Sequence, residues 1–367
     1  MLTLITFILV LSLLVLVHEA GHFFAARRFG IRVEEFGLGF PPRLGGKRFG
    51  KTLYTLNLIP FGGFVRLYGE NGQERADPES FAAKSIFKRA IVLVAGVVMN
   101  LVLAFVVFSA GFSVGLPAAL DNVPAGARVR NQQLSVADVS ASSPAAQGGI
   151  TRGDAILAVD GHRPATVDDL HAATAAPHAT TFIIERNHKE ITATVTPTMS
   201  EDGTVRFGVQ VVPVGVVSYP IHRAIFQGAS MTVRAVGQIF TSLGSLFGNL
   251  IAHQTVSQDV SGPIGIAVLT GQVVALGWSY LFQFIALLSL SLAVMNVLPI
   301  PALDGGRLFF LIIEGVRRKP INQNTEQIIH AVGFYALLAL ILVISVRDVQ
   351  RFAIFNTLRS VWHTIFS

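Results

Sequence analysis

The 367-residue chain is 51% hydrophobic and only 14% charged, and its mean hydropathy is +0.58. This composition excludes an ordinary soluble protein and predicts an integral membrane protein with one extramembrane domain. The net charge of +6 lies mainly in loops beside apolar segments, so it indicates membrane topology and not nucleic-acid binding. Because the chain has no cysteine, any metal must be held by His, Asp or Glu.

The first apolar run, residues 3–24, predicts a transmembrane helix that is retained, because no basic segment of a signal peptide precedes it. It contains His18-Glu19-Ala20-Gly21-His22. On a helix the two imidazoles project from one face and can bind one zinc ion, while Glu19 is turned away by about 100° and can touch a metal-bound water. The alternative is a polar helix end that happens to contain two histidines, but ionisable groups at membrane depth are usually functional.

The following loop is predicted to be cytoplasmic and the amino terminus outside, since residues 27–89 contain twelve Lys or Arg against six Asp or Glu. Residues 36–42 and 54–65 alternate apolar with small or polar residues, which predicts short strands in hairpins. Two interpretations stay open: a plain cytoplasmic hairpin, or a sheet that dips toward the metal and offers its edge to a substrate strand. In the second, Gly62, Gly63 and Phe64 would contact the substrate.

Residues 90–112 predict a second span, in which Asn100 is interpreted as forming a hydrogen bond between helices. The composition then becomes that of a soluble domain over residues 116–213. The run from Ser143 to Gly161 resembles a PDZ domain of the bacterial protease type, and residues 181–185 and 190–196 are predicted strands. Such a domain can bind chain ends by strand addition or act as a size gate.

Residues 214–280 predict amphipathic helices on the outer membrane surface, because apolar residues recur near the helical period between Tyr219 and Ala252. A further helix, interfacial or partly inserted in the membrane, is predicted to start within residues 261–266. The histidines His222, His253 and His330 are interpreted as surface or interfacial residues and not as ligands.

Residues 281–298 predict the third span and residues 328–346 the fourth, with the carboxyl terminus outside. Because the first and third spans run in the same direction, Asp304 is expected at the depth of His18 and His22. It would complete a two-histidine, one-carboxylate site, with Pro299 and Pro301 ending the helix before it. The alternatives for Asp304 are a helix cap or a partner of Arg307.

The ordered motifs together resemble the site-2 protease family of intramembrane zinc metalloproteases, and within it the bacterial regulator of sigma-E proteases. They are H-E-A-G-H in the first span, F-G-x-G-x-P-P and I-P-F-G-G-F-V in the next loop, one PDZ-like domain and N-x-x-P-x-P-x-L-D-G-G in the third span. The resemblance implies one zinc ion per chain held by His18, His22 and Asp304, with Glu19 as catalytic base. It also implies that Asn296 binds the substrate backbone or the oxyanion, a structural hydrogen bond being the competing role.

Two features depart from the family pattern. The sigma-E proteases it resembles carry two PDZ domains, whereas this chain has one, and Ser291 stands where relatives place a second asparagine five residues before the motif asparagine. A serine can still form a hydrogen bond there, with a different donor geometry.

The predicted fold is therefore a polytopic α-helical membrane protein. It has four transmembrane helices, a membrane-associated β-hairpin sheet after the first, and one extracytoplasmic α+β PDZ domain. The predicted parts are residues 1–115, 116–213, 214–280 and 281–367.

The predicted function is proteolysis, within the bacterial cytoplasmic membrane, of single-pass membrane proteins already cut by another protease, such as anti-sigma factors or remnant signal peptides. The lipid bilayer is the expected surroundings, and no nucleic-acid partner is expected, because the basic residues concentrate in loops beside apolar segments. The rival hypothesis is a non-enzymatic PDZ-bearing membrane scaffold with a structural metal site. Glu19 discriminates between them, because a scaffold has no need of a base beside the ligands.

Overall fold

The computed structural model describes residues 2–72, 74–121, 123–124, 126–186, 189–199, 204–253, 261–319 and 321–351. The helices are α1 Leu2–Arg28, α2 Ile86–Val114, α3 Pro144–Gln147, α4 Val167–Ala173, α5 Ile221–His253, α6 Pro263–Leu276, α7 Trp278–Val297, α8 Asp304–Arg317 and α9 Gln323–Arg351. The strands are β1 Val33–Phe49, β2 Thr52–Leu67, β3 Leu116–Ala119, β4 Arg128–Val139, β5 Ala155–Val159, β6 Thr180–Arg186, β7 Lys189–Val195, β8 Thr198–Met199, β9 Val205–Arg206 and β10 Val209–Ser218. The chain forms two compact units, one of residues 1–108, 228–274 and 281–367, the other of residues 109–227 and 275–280.

Four helices in the described part of the chain are long and apolar enough to cross a membrane, namely α1, α2, α7 and α9. They confirm the four predicted spans. Helix α7 ends at Val297, just before Pro299 and Pro301, because a proline has no N–H to continue the helical ladder. The prediction for the carboxyl terminus falls on residues 352–367, outside the described part, as does the side chain of His253.

The loop after α1 forms a two-strand antiparallel sheet of 17 and 16 residues, β1 and β2. The prediction of short strands was wrong in length, because Phe36 pairs with both Val65 and Tyr54. The first half of β1 therefore lies between two segments of β2. The end of the hairpin where β1 begins and β2 ends packs into a hydrophobic core with the end of α1, the start of α2 and Leu311 of α8.

The region after α2 forms a six-stranded sheet in the order β3-β10-β4-β5-β6-β7. We call this region, residues 116–218, the sheet domain. Strands β6 and β7 confirm the two strands predicted after the Ser143 run. Its core consists of apolar side chains from both the sheet and α4, among them the fully buried Phe182 and Ile184.

One buried ion pair joins the glycine turn of the sheet domain to β6. The carboxylate of Asp154, 1% exposed, accepts hydrogen bonds from Arg186 Nε and Nη2, each at 2.7 Å, and from the Thr151 N–H at 2.8 Å. Burial alone would raise the pKa of Asp154, but the bonds from Arg186 and Thr151 and the charge of Arg186 outweigh it and lower the pKa below 3.8.

We expect Asp154→Asn to destabilise the sheet domain by about 2 kcal/mol at neutral pH, since it leaves Arg186 without its carboxylate. Because the folded pKa is depressed, the wild-type contribution is complete above the unfolded pKa of about 3.9 and is lost as pH falls through the folded value. Hydrogen exchange of β5 and β6 in the full chain, at pH 7 and at pH 3, should show the difference between the two proteins shrinking with acid. Asp168→Asn, at an exposed aspartate, is the control, and a gap that stays constant with pH would contradict the prediction.

Helices α5 and α6 lie within residues 214–280, and α6 starts at Pro263, within the segment predicted to open a helix. The buried carboxylate of Asp348 in α9 accepts hydrogen bonds from the N–H groups of Gly262 (2.9 Å) and Gly265 (2.7 Å), so it satisfies the start of α6. Residues 304–317, between the third and fourth predicted spans, form the further helix α8. Packing of Leu311 into the α1–hairpin core stabilises this helix.

Candidate metal centre

Three side chains converge near the carboxyl-terminal end of α1. His18 Nε2 lies 2.9 Å from Asp304 Oδ2, His22 Nε2 lies 3.2 Å from the same oxygen, and the two Nε2 atoms are 3.2 Å apart. Ligand atoms on a tetrahedral zinc ion stand about 3.3 Å apart, so this donor set and spacing fit one zinc ion. Among the described residues, His18, His22 and Asp304 form the group of His, Cys, Asp or Glu side chains whose ligand atoms, all within 4.8 Å of one another, could hold a metal ion.

In both histidines, the ring nitrogen that faces away from Asp304, Nδ1, lies within hydrogen-bonding distance of a group on α2. His22 Nδ1 donates to the backbone oxygen of Val92 at 2.8 Å, which leaves Nε2 with a free lone pair facing His18 and Asp304. The amide of the fully buried Asn100 lies 3.3 Å from His18 Nδ1. Since a 180° rotation exchanges the amide atoms, Oδ1, which otherwise has no partner among the described residues, can accept the Nδ1 proton.

Helices α1 and α2 approach closely at the site because two glycines face each other. A Cβ built on Gly21 would lie 2.3 Å from the oxygen of Ala95 and 2.9 Å from the Cα of Gly96. Small residues of this kind let transmembrane helices pack backbone to backbone. The result is that both imidazoles lie against the backbone of α2.

Asp304 is the first residue of α8 and follows a tight loop, residues 298–303. The two glycines after it allow the loop to fold back on the helix. A Cβ on Gly305 would lie 2.1 Å from the oxygen of Leu298, and one on Gly306 would lie 2.4 Å from the oxygen of Ile300. Arg307 pairs with Glu70 and not with Asp304, so the alternative that Asp304 serves Arg307 is not what the structure shows.

The last segment of β2 runs along α1 toward Glu19. Ser12 Oγ donates to the Pro60 oxygen at 2.9 Å, a Cβ on Gly62 would lie 3.2 Å from Val15, and the Val65 backbone lies near the Glu19 carboxylate. These contacts lie on one face of α1 that ends beside the two histidines. The predicted sheet that dips toward the metal ligands is therefore the arrangement that the structure shows.

The other predicted site residues have these positions. Gly63 is buried, and a Cβ on it would lie 2.7 Å from the Gly37 oxygen, while the Phe64 ring lies over Gly37 and stacks on Phe40. Asn296 is half-buried in the last turn of α7, and its side chain has no hydrogen bond within the part of the chain that the structure describes. Ser291 Oγ donates to the Leu287 oxygen of its own helix at 2.9 Å.

Sequence reasoning missed Gly96 and the backbone of Val92 as parts of the site. It correctly interpreted Asn100 as a residue that forms a hydrogen bond between helices, but it did not identify His18 as the partner. A buried amide in an otherwise apolar span was the available signal for Asn100, whereas nothing in the local sequence distinguishes Gly96 from a glycine facing lipid.

Gly96 gives a direct test of this packing. A Cβ at Gly96 would lie 2.5 Å from His22 Nε2 and 2.8 Å from His18 Nε2, so we expect Gly96→Ala to move the rings and weaken zinc binding by at least about 10-fold. Zinc retention during dialysis against a chelator measures it. The control is Gly237→Ala in α5, where a Cβ has nothing within 4 Å, and equal zinc retention by all three proteins would contradict the prediction.

Four spans, a site of two histidines and one carboxylate, and a glutamate beside them define a membrane-embedded metalloprotease. The model of peptidase family M50 matches residues 6–340 of the chain. The chain belongs to this family and is a zinc metalloprotease.

Curated relatives match nearly the whole chain. A Clostridium perfringens protein described as a zinc metalloprotease is 36% identical over 93% of this chain and 97% of its own. Zinc metalloprotease RasP of Geobacillus kaustophilus is 32% identical, over 95% of this chain and 98% of its own. Regulator of sigma-W protease RasP of Bacillus subtilis is 30% identical over the same shares.

Among solved structures, the PDZ domain of the SdrC-like protein from Listeria innocua matches at 20% identity and a TM-score of 0.20, covering 22% of this chain and 92% of its own.

Proposed function

We propose that the protein cuts single-pass membrane proteins within their transmembrane segments, after another protease has shortened the outer part of the substrate. Anti-sigma factors and remnant signal peptides are the substrate classes. The observation that carries this proposal is the convergence of His18, His22 and Asp304 beside Glu19 at the end of a transmembrane helix. The name of the Bacillus subtilis relative, a regulator of sigma-W protease, supports the anti-sigma-factor class.

The proposed roles follow from the geometry. His18, His22 and Asp304 hold zinc, which when bound lowers the pKa of a water molecule and polarises the scissile carbonyl. Glu19 takes the proton of the attacking water and passes it to the leaving nitrogen. Asn296, whose amide has no partner among the described residues, binds the substrate backbone or the oxyanion.

The hairpin supplies a way to present an unwound substrate. A helix has its carbonyls tied up internally, so it must become extended before attack. The segment of β2 with Gly62, Gly63 and Phe64 pairs with β1 along one edge. A substrate strand that adds to this segment would have its peptide bonds beside Glu19.

The proposed location is the bacterial cytoplasmic membrane, with the active site toward the cytoplasm and the amino terminus and sheet domain outside. The basic excess of residues 27–89, which include the hairpin, supports this orientation.

The test is cleavage by the zinc-loaded full chain in lipid bilayers. The substrates are one single-pass protein with its outer domain intact and the same protein with that domain trimmed. We expect cleavage inside the span, faster for the trimmed substrate and faster again when helix-breaking residues are placed at the cleavage point. No cleavage of any substrate, or cuts only outside the span, would refute the proposal.

A further inference from the structure

The last span contacts the loop that carries Asp304. His330 on α9 accepts a hydrogen bond at Nδ1 from the N–H of Ala302, at 2.9 Å. Ala302 lies two residues before Asp304 in the loop between α7 and α8. A side chain of the last helix is thus bonded to the backbone next to a metal ligand.

Ala302 needs such a bond because its backbone is in the left-handed region, with φ +78°. A residue with a Cβ pays roughly 1 kcal/mol or more there, and such conformations persist when the surroundings hold them. No proline or glycine at position 302 restricts or relieves the loop. The hydrogen bond to His330 is therefore a candidate for what holds this turn.

Gly333, one turn further along α9, packs directly against the same loop. A Cβ on Gly333 would lie 2.4 Å from the Cβ of Pro301 and 2.9 Å from its oxygen. Positions 330 and 333 are three apart and share a helix face, so α9 presents a continuous surface to Pro301 and Ala302. The Phe310 ring of α8 lies 5.5 Å from the His330 ring and completes the packing around it.

The tautomer of His330 follows from this contact. A neutral imidazole that accepts at Nδ1 carries its proton on Nε2. Nε2 of His330 is buried and has no hydrogen-bond partner within the described residues. The contact made at Nδ1 is therefore the hydrogen bond that fixes this ring.

We propose that His330 is a positioning residue for the metal site: through Ala302, and together with Gly333, it holds Asp304 in place to meet His18 and His22. This inference rests on the proposed metal-binding role of those three residues. The last span, α9, then supports the geometry of the metal site, although none of its side chains is proposed as a ligand. The effect is on the geometry of the third ligand and not on the chemistry of the water.

The experiment compares zinc retention in the full-length protein during a chelator challenge. His330→Leu removes the acceptor, and we expect it to lose zinc about 10-fold faster than wild type, the size of effect typical of residues that orient a ligand. His330→Asn places an amide oxygen near the position of Nδ1 and should restore most of the retention. His222→Leu, at an exposed histidine of α5, should behave as wild type.

Two further measurements separate positioning from general damage. Gly333→Ala should also speed zinc loss, whereas Gly244→Ala in α5, where a Cβ meets nothing within 4 Å, should not. In the cobalt-substituted proteins, His330→Leu should change the visible absorption bands, which report ligand geometry, and His330→Asn should change them less.

Zinc loss from His330→Leu at the wild-type rate would overturn the inference. It would also fail if His330→Asn lost zinc as fast as His330→Leu while both remained folded by thermal melting. If His330→Leu did not fold, the comparison of His330→Asn and Gly333→Ala with wild type would decide in its place. Failure of wild-type protein to bind zinc at all would instead refute the metal site itself.

Discussion

Glu19→Gln is expected to abolish peptide cleavage while zinc stays bound. The carboxylate lies on α1 one residue after His18 and three before His22, so it is placed to move protons at this site. Glutamine keeps its size but cannot accept and return a proton. Loss of a general base costs about 10²- to 10⁴-fold in rate, so kcat for a reconstituted single-pass substrate should fall by this factor. Metal analysis of the same sample should give one zinc per chain.

The matched control is Glu34→Gln, because Glu34 is an exposed carboxylate on β1. It should cleave at the wild-type rate. Undiminished cleavage by Glu19→Gln would refute Glu19 as the base. Loss of zinc from Glu19→Gln would instead show that the residue supports the metal.

Asp304→Ala is expected to lose both zinc and activity. It leaves two imidazoles, whereas catalytic zinc sites are built from three protein ligands. We expect zinc affinity to fall by more than about 100-fold, beyond the usual effect of a residue that only orients a ligand. Asp304→Asn keeps the shape of the side chain and removes its charge, so its zinc loss would separate the effect of the ligand from a collapse of the loop. Zinc content by mass spectrometry and cleavage of the substrate measure the two effects.

Asp168→Ala in the sheet domain is the control for Asp304→Ala, since Asp168 is exposed. It should retain zinc and full activity. An Asp304→Ala protein that still bound one zinc ion tightly would mean that another residue supplies the third ligand.

The fold could be predicted where a segment has one physical option. About twenty consecutive apolar residues can cross a membrane as a helix, so α1, α2, α7 and α9 follow from composition. The position of the hairpin was predicted, but the length of its strands was not. Phe36 pairs with both Val65 and Tyr54, and the sequence pattern does not show pairing between residues this far apart along the chain. Helix α8 was not predicted, because the packing of Leu311 that stabilises it is tertiary.

The site divides in the same way. The spacing of His18 and His22 determines that they share a helix face, and the position of Asp304 shortly after the third span predicted that it would lie within reach of them, although 286 residues separate it from His18. The roles of Asn100, Gly96 and His330 could not be predicted in this way, because each of them contacts a residue of another segment. Their contacts depend on how the helices are rotated about their own axes.

The sequence by itself therefore determined which segments are long and apolar enough to enter the membrane, where the donor side chains stand along them and which carboxylate lies beside them. Only the tertiary structure decided which faces meet: α2 against both imidazoles, the hairpin against Glu19, and α9 against the loop before Asp304. The reason is that lipid is as apolar as the side chains that face it, so hydrophobicity along a span carries no record of the side that packs on protein. Close backbone approach at Gly21 and Gly96 and hydrogen bonds to buried polar groups select that side instead.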